Sequence, residues 1–130
     1  MRSILLVDDS RVVREVLKVY LIRRDVEMVE AGDGVEALAL LQRGSLPDIV
    51  IADLRMPRLD GAGLCRALRS QARTRHLPVI ILSSSLTPES EDACRQAGAA
   101  EVLSKPVEPK RLLEAIERLL AHPSSGAEAP

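Results

Sequence analysis

Cysteine is scarce in this chain: Cys65 and Cys94 are the only two, far apart and without metal-ligand spacing. A metal-thiolate module is excluded, and both are expected to be small helix-face residues in a reducing compartment. An excess of positive charge is missing too. The formal net charge is −1, the pI is about 6.1 and the arginines are scattered, which excludes a basic nucleic-acid-binding surface. No apolar run approaches membrane-spanning length. The opening run Ile4-Leu5-Leu6-Val7 is too short for a signal peptide and is cut off by Asp8-Asp9, so a cytoplasmic protein is expected. Histidine occurs twice, as His76 and His122. Tryptophan and phenylalanine are absent, and Tyr20 is the only aromatic residue.

What is present is one domain's worth of patterned apolar sequence. At 130 residues and 46% hydrophobic content the chain can bury a real core but has no room for a second domain. Residues 1–122 are expected to form that domain, and the Pro/Ser/Gly/Ala-rich residues 123–130 a flexible tail or linker stub.

Short β-branched runs alternate with helical periodicity. Strands are predicted at Ser3–Val7, Val26–Glu30, Asp48–Ala52, Pro78–Leu82 and Glu101–Leu103. The first helix repeats Val12, Val13, Val16, Leu17, Tyr20 and Leu21, with Ser10 as its N-cap. Asp33 and Glu36 have capping-box spacing and open a helix carrying Val35, Leu38 and Leu41. Gly61–Gln71 forms a third helix with Leu64 and Leu68 inward. Thr87-Pro88-Glu89 starts a fourth, weakly apolar beyond Ala93, Cys94 and Ala97, which stops at Gly98. Pro109 opens a fifth with a stripe of Leu112, Leu113, Ile116, Leu119 and Leu120.

Alternation of this kind calls for a parallel sheet with right-handed crossovers and helices on both faces. All carboxyl ends of the strands then share one edge, where ligands bind in open α/β sheets. Asp8, Asp9, Asp53, Ser83 and Lys105 therefore converge from four strand ends. Close carboxylates repel, so a shared proton or a cation is expected. A hard divalent ion, Mg²⁺, suits carboxylates with waters and a phosphate oxygen. Lys105 adds a mobile point charge suited to a phosphoryl oxygen, and Ser83 a hydroxyl donor. A carboxylate here can attack phosphorus to give an aspartyl phosphate. Neither histidine falls in this constellation, so the phosphoryl donor must come from outside.

Taken together, Val7-Asp8-Asp9, Asp53-Leu54-Arg55-Met56-Pro57 with Asp60-Gly61, Ser83 after an apolar strand, and Lys105-Pro106 resemble a response-regulator receiver domain, the phosphoacceptor module of two-component signalling. The likeness runs from about Ser3 to about His122. It implies a flavodoxin-like (βα)5 fold with a five-stranded parallel sheet of order 2-1-3-4-5. It also implies that Asp53 accepts the phosphoryl group, with Asp9 and Asp53 as side-chain ligands of Mg²⁺, the backbone carbonyl of Arg55 as a third, and Asp8 acting mainly through water. Lys105 would pair with the phosphoryl group and Ser83 would turn toward it. The implied partners are a sensor histidine kinase or phosphotransfer protein, and downstream a protein target or a fused output domain; neither nucleic acid nor membrane is contacted directly. Such a chain is a monomer or weak dimer, and it is not an enzyme beyond its own phosphoryl transfer and dephosphorylation. Its signal would leave through the face formed by the fourth helix, fifth strand and fifth helix.

Two positions depart from the family pattern. Val102 stands where the family commonly has an aromatic side chain that changes rotamer on activation, and the hydroxyl residue is Ser83 with Ser84 after it, where threonine and a small residue are commoner. The missing aromatic favours one rival, a receiver-like interaction module acting without phosphorylation. Enzymes on the same fold fit less well. A flavin-binding protein needs a phosphate-cradling loop where this chain has Asp8-Asp9, and a haloacid-type phosphatase carries its nucleophile after the first strand.

Overall fold

The structure, a computed structural model, describes residues 2–22 and 25–121. Its elements alternate without exception: β1 (Arg2–Val7), α1 (Arg11–Leu21), β2 (Val26–Ala31), α2 (Gly34–Arg43), β3 (Ile49–Asp53), α3 (Gly61–Arg69), β4 (Val79–Ser83), α4 (Pro88–Ala97), β5 (Glu101–Ser104) and α5 (Pro109–Ala121). The strands form one five-stranded sheet in the order β2-β1-β3-β4-β5, every pair parallel. Both fold class and strand order agree with the expectation from sequence. His122 and the tail expected over 123–130 lie outside the described residues.

Strand order dictates where the helices go. The chain steps from β1 to β2 in one direction and then through β3, β4 and β5 in the other, so right-handed crossovers place α2, α3 and α4 on one face and α1 on the opposite one. Alternate strand residues split accordingly. Leu5, Val7, Val50, Ala52, Val79 and Ile81 pack with Leu41, Leu64, Leu68, Cys65 and Cys94. Ile4, Leu6, Ile49, Ile51, Ile80 and Leu82 pack with Leu17, Leu21, Leu112 and Ile116. Both cysteines are buried free thiols, as expected of helix-face residues.

Several valines do not go where helical spacing alone sends them. Val12, Val16 and Val35 are 72%, 43% and 41% exposed. α1 carries two apolar stripes, and the sheet covers only the one containing Leu17 and Leu21. Ala93 is also exposed, leaving Cys94 and Ala97 as the only buried residues of α4. α4 is therefore thinly anchored, as expected, and it ends on Gly98 in a left-handed conformation with φ 110°.

The caps are mostly those anticipated. Ser10 Oγ accepts the Val13 amide at 3.2 Å, and Asp33 Oδ1 accepts the Glu36 amide at 2.9 Å. The reciprocal arm of the Asp33 box lands one residue early, because Glu36 Oε1 accepts from the Gly32 amide at 2.7 Å. A complete box lies instead at α4, where Thr87 and Ser90 satisfy each other's amides at 2.9 and 3.0 Å.

Candidate functional site

Each predicted acid sits at a carboxyl end of a strand because the preceding residues have no polar alternative to burial. Val7 and Ala52 are buried in the apolar core, and the first polar side chains after them are Asp8, itself buried, and the half-buried Asp53. Carboxylate oxygens of Asp8, Asp9 and Asp53 come within 4.8 Å of one another. Asp8 is buried, Asp53 half-buried and Asp9 exposed. From the far end of the chain, Lys105 Nζ reaches Asp53 Oδ1 at 2.8 Å and Asp8 Oδ2 at 3.2 Å. The loop bearing it is tied to β4, since the Lys105 amide donates to the Ser83 carbonyl at 2.8 Å.

Burial is the main influence on Asp53 and pushes its carboxyl above the ordinary carboxylate value. The Lys105 ammonium opposes this without cancelling it, and the charges of Asp8 and Asp9 add to the rise. For Lys105 burial disfavours the ammonium, yet Asp53 and Asp8 together outweigh burial and hold the side chain above its usual value. Lys105 thus binds its proton tightly while Asp53 is left an ill-accommodated anion. A cation would be welcome there. Three converging carboxylates offer the hard oxygen donors that Mg²⁺ prefers, and the exposed side of the pocket leaves room for waters, so these residues fit such an ion.

The remaining predicted residues stand around this centre. Ser83 ends β4 fully buried, and its Oγ accepts the Ser85 amide at 3.2 Å. Arg55 is exposed two residues beyond Asp53, in the loop leading to α3. That loop is closed by the Gly61 amide donating to the Leu54 carbonyl at 2.9 Å, and a Cβ on Gly61 would meet the Asp53 carbonyl at 2.7 Å, so only glycine fits. Asp60 Oδ1 then caps α3 by accepting the Gly63 amide at 2.8 Å. His76 is exposed in the turn before β4, the end of the strand opposite Ser83, and takes no part.

Sequence reasoning missed what steadies the acids. Asp8 Oδ1 accepts the Ser10 amide at 2.8 Å, while Arg14 donates to the Asp8 carbonyl and also reaches Glu30 at 2.8 Å. Arg14 bears no motif; the one available signal was its place one turn into the helix after Asp8-Asp9.

A doubly wound α/β domain with acids and a lysine gathered at the carboxyl edge of its sheet is a signalling receiver in class. The family model for the response regulator receiver domain matches residues 4–117, and the chain belongs to that family. It is 40% identical over 129 residues to the response regulator MprA of Mycobacterium sp. (strain KMS), covering 98% of this chain and 55% of that one. The chain thus spans about half the length of the curated relatives it matches. Among solved structures, the chemotaxis protein CheY4 of Vibrio cholerae superposes with a TM-score of 0.84 at 33% identity, over 92% of this chain and 99% of that one. The receiver domain of the sensor histidine kinase PA1611 from Pseudomonas aeruginosa, with a magnesium ion coordinated in its active-site cleft, gives a TM-score of 0.84 at 29% identity over 92% and 98%. Among the described residues no helix is long and apolar enough to cross a membrane.

Proposed function

We propose that this receiver domain takes a phosphoryl group onto Asp53 from a phosphohistidine of a sensor histidine kinase or phosphotransfer protein. The carrying observation is the Lys105 ammonium lying 2.8 Å from Asp53 while the oxygens of Asp8 and Asp9 come within 4.8 Å of the same carboxylate. A carboxylate oxygen of Asp53 attacks phosphorus as the bond from phosphorus to the donor imidazole nitrogen breaks. The imidazole leaves with the bonding pair. Asp9, Asp53 and the carbonyl of Arg55 would hold Mg²⁺, with Asp8 acting through water, and the ion would supply positive charge to offset that on the transferred group. Lys105 exchanges part of its contact with Asp53 for a phosphoryl oxygen, and the Ser83 hydroxyl turns to donate to another. Positioning and charge carry the reaction, and no general base is needed because the nucleophile is already an anion.

Residues 1–122 would form the receiver, with 123–130 a tail or linker stub. The protein would act in the cytoplasm as a monomer or weak dimer. Val102 favours a second reading, a module that binds its partner whatever its phosphorylation, because this residue is 5% exposed and packed where the family's aromatic switch would stand. Incubation with a small phosphodonor and Mg²⁺ separates the two. The first reading expects one added phosphoryl group by mass, absent in Asp53→Asn; an unlabelled wild type, or a labelled Asp53→Asn, defeats it.

A further inference from the structure

The loop between Asp53 and α3 is held at its middle as well as at its ends. Arg58 stands at the centre of a tight turn, closed by the Leu59 amide donating to the Pro57 carbonyl at 2.7 Å, with φ at 70°. It is the only residue other than glycine with a positive φ among those described. Glycine would relax that turn. What an arginine adds is a grip: Nε donates to Asp33 Oδ2 at 2.8 Å and Nη2 to Asp33 Oδ1 at 3.1 Å, a two-pronged pair of the strong kind. The same Asp33 caps α2, so the loop is fastened to a helix terminus rather than to another loop.

One residue on, the grip is doubled by backbone. The Gly34 amide, the first of α2, donates to the Leu59 carbonyl at 3.2 Å. The approach is so close that a Cβ on Gly34 would lie 2.6 Å from that carbonyl oxygen. The guanidinium also holds the Asp33 carboxyl below the ordinary range, so the fork stays charged at neutral pH. Nothing in the acid pocket itself requires this attachment. The loop's upstream end, however, carries Arg55, whose carbonyl can serve a cation only if the chain between Asp53 and Gly61 keeps one shape.

We propose that the Asp33–Arg58 fork, with Gly34 beneath it, is the brace that aims the Arg55 carbonyl at the cation, which makes Arg58 a positioning residue for phosphoryl acceptance. The inference rests on the functional reading above, since it assumes that Asp9, Asp53 and Arg55 share Mg²⁺. Loss of the brace lets the loop wander, and the cost falls on metal affinity more than on the fold.

The test is a Mg²⁺ titration followed by backbone amide shifts, run beside thermal unfolding. Arg58→Gly keeps the turn and removes the grip; Asp33→Ser keeps the helix cap and removes the fork. Each is expected to raise the Kd for Mg²⁺ by about tenfold, the low end of what outer supports of metal ligands cost. The double variant should do no worse than either single one, because both remove the same contact. Arg58→Lys, which keeps charge but cannot fork, should fall between. A purely structural role would lower the melting temperature and leave Kd unmoved, and Kd values equal to wild type in Arg58→Gly and Asp33→Ser overturn the brace alone. A wild type that takes up no Mg²⁺ overturns the reading of the site, and the brace with it.

Discussion

Lys105 is the residue on which the metal-free pocket depends. Its ammonium is the one cation bonded to both Asp53 and Asp8 among the described residues, and Asp8 has only 3% of its side chain exposed. Removing one member of such a group leaves buried charge uncompensated, so Lys105→Ala should cost about 3 kcal/mol in urea unfolding without Mg²⁺. Asp53→Asn should act in the opposite sense. Because the fold raises the Asp53 carboxyl above its ordinary value, the folded state binds that proton more tightly than the unfolded chain, and the associated stability fades as pH rises through the shifted range. Above that range the fold carries the penalty of the buried anion. Asp53→Asn is therefore expected to melt higher than wild type at neutral pH in metal-free buffer, with the difference shrinking as pH falls into the carboxylate range. Equal melting temperatures at neutral pH would show that burial does not penalise this carboxylate. Combined with Lys105→Ala, the Asn substitution should recover part of the loss, the coupling expected of residues in contact.

At the scale of elements, α1 illustrates both what the sequence reveals and what it conceals. Its periodicity announces a helix, and the strand before it and Ser10 fix its start. Which of two apolar stripes faces inward is not in the periodicity; it depends on how much of the helix the sheet and α5 can cover. Leu17 and Leu21 win that contest, and Val12, Val16 and Val19 are left outside at 72%, 43% and 65% exposure. The site was legible for a different reason: strand ends converge in any parallel sheet, so Asp8, Asp9, Asp53, Ser83 and Lys105 could be gathered without knowing a single side-chain position. The supports were not legible. Arg58 and Asp33 lie 25 residues apart, and no pattern of charge or spacing pairs one exposed arginine with one helix cap. The outer valines have a consequence that can be measured. Val12 and Val16 line an apolar hollow that also includes Lys105, Pro106 and Val107. If a phosphohistidine donor docks on this hollow, changing Val12 and Val16 together to Asp should slow its transfer about tenfold, the equivalent of about 1.4 kcal/mol of binding. Labelling by a small phosphodonor should stay at the wild-type rate. Equal slowing with both donors would mean that the acid pocket itself was disturbed.

For the molecule as a whole the open matter is how occupation of Asp53 reaches the opposite helices when no aromatic switch exists. Val102 is β-branched, stiff and 5% exposed, so it is expected to stay packed in either state. Ser83 and Lys105 are joined through the backbone bond of 2.8 Å between them, so drawing both toward a phosphoryl group is expected to move the starts of the α4 and α5 segments together. α4 gives way more easily. Only Cys94 and Ala97 anchor it in the core, whereas α5 buries Leu112, Ala115, Ile116 and Leu120. Further restraint on α4 comes from its packing against α3, whose Arg69 donates from Nη2 and Nε to the Gly98 carbonyl at 2.7 and 3.2 Å. It comes also from a surface brace in which Arg95 bonds Glu91 at 3.3 Å and Glu101 of β5 at 3.2 Å while Arg118 of α5 meets the same Glu101. Exposed pairs of this sort contribute roughly 1 kcal/mol or less each and weaken with salt, too little to hold a helix against a new charge at the pocket. The expected response is a shift of the Thr87–Gly98 segment against α5, opening the hollow lined by Leu86, Val102, Pro106 and Val107. Amide hydrogen exchange with a beryllofluoride phosphoryl mimic and Mg²⁺ should rise across α4, and Glu101→Gln should raise it already in the unmodified protein by releasing the brace. If exchange changes only at Asp8, Asp53 and Lys105 while α4 stays silent, α4 is not the output and the phosphorylation-independent module becomes the better account.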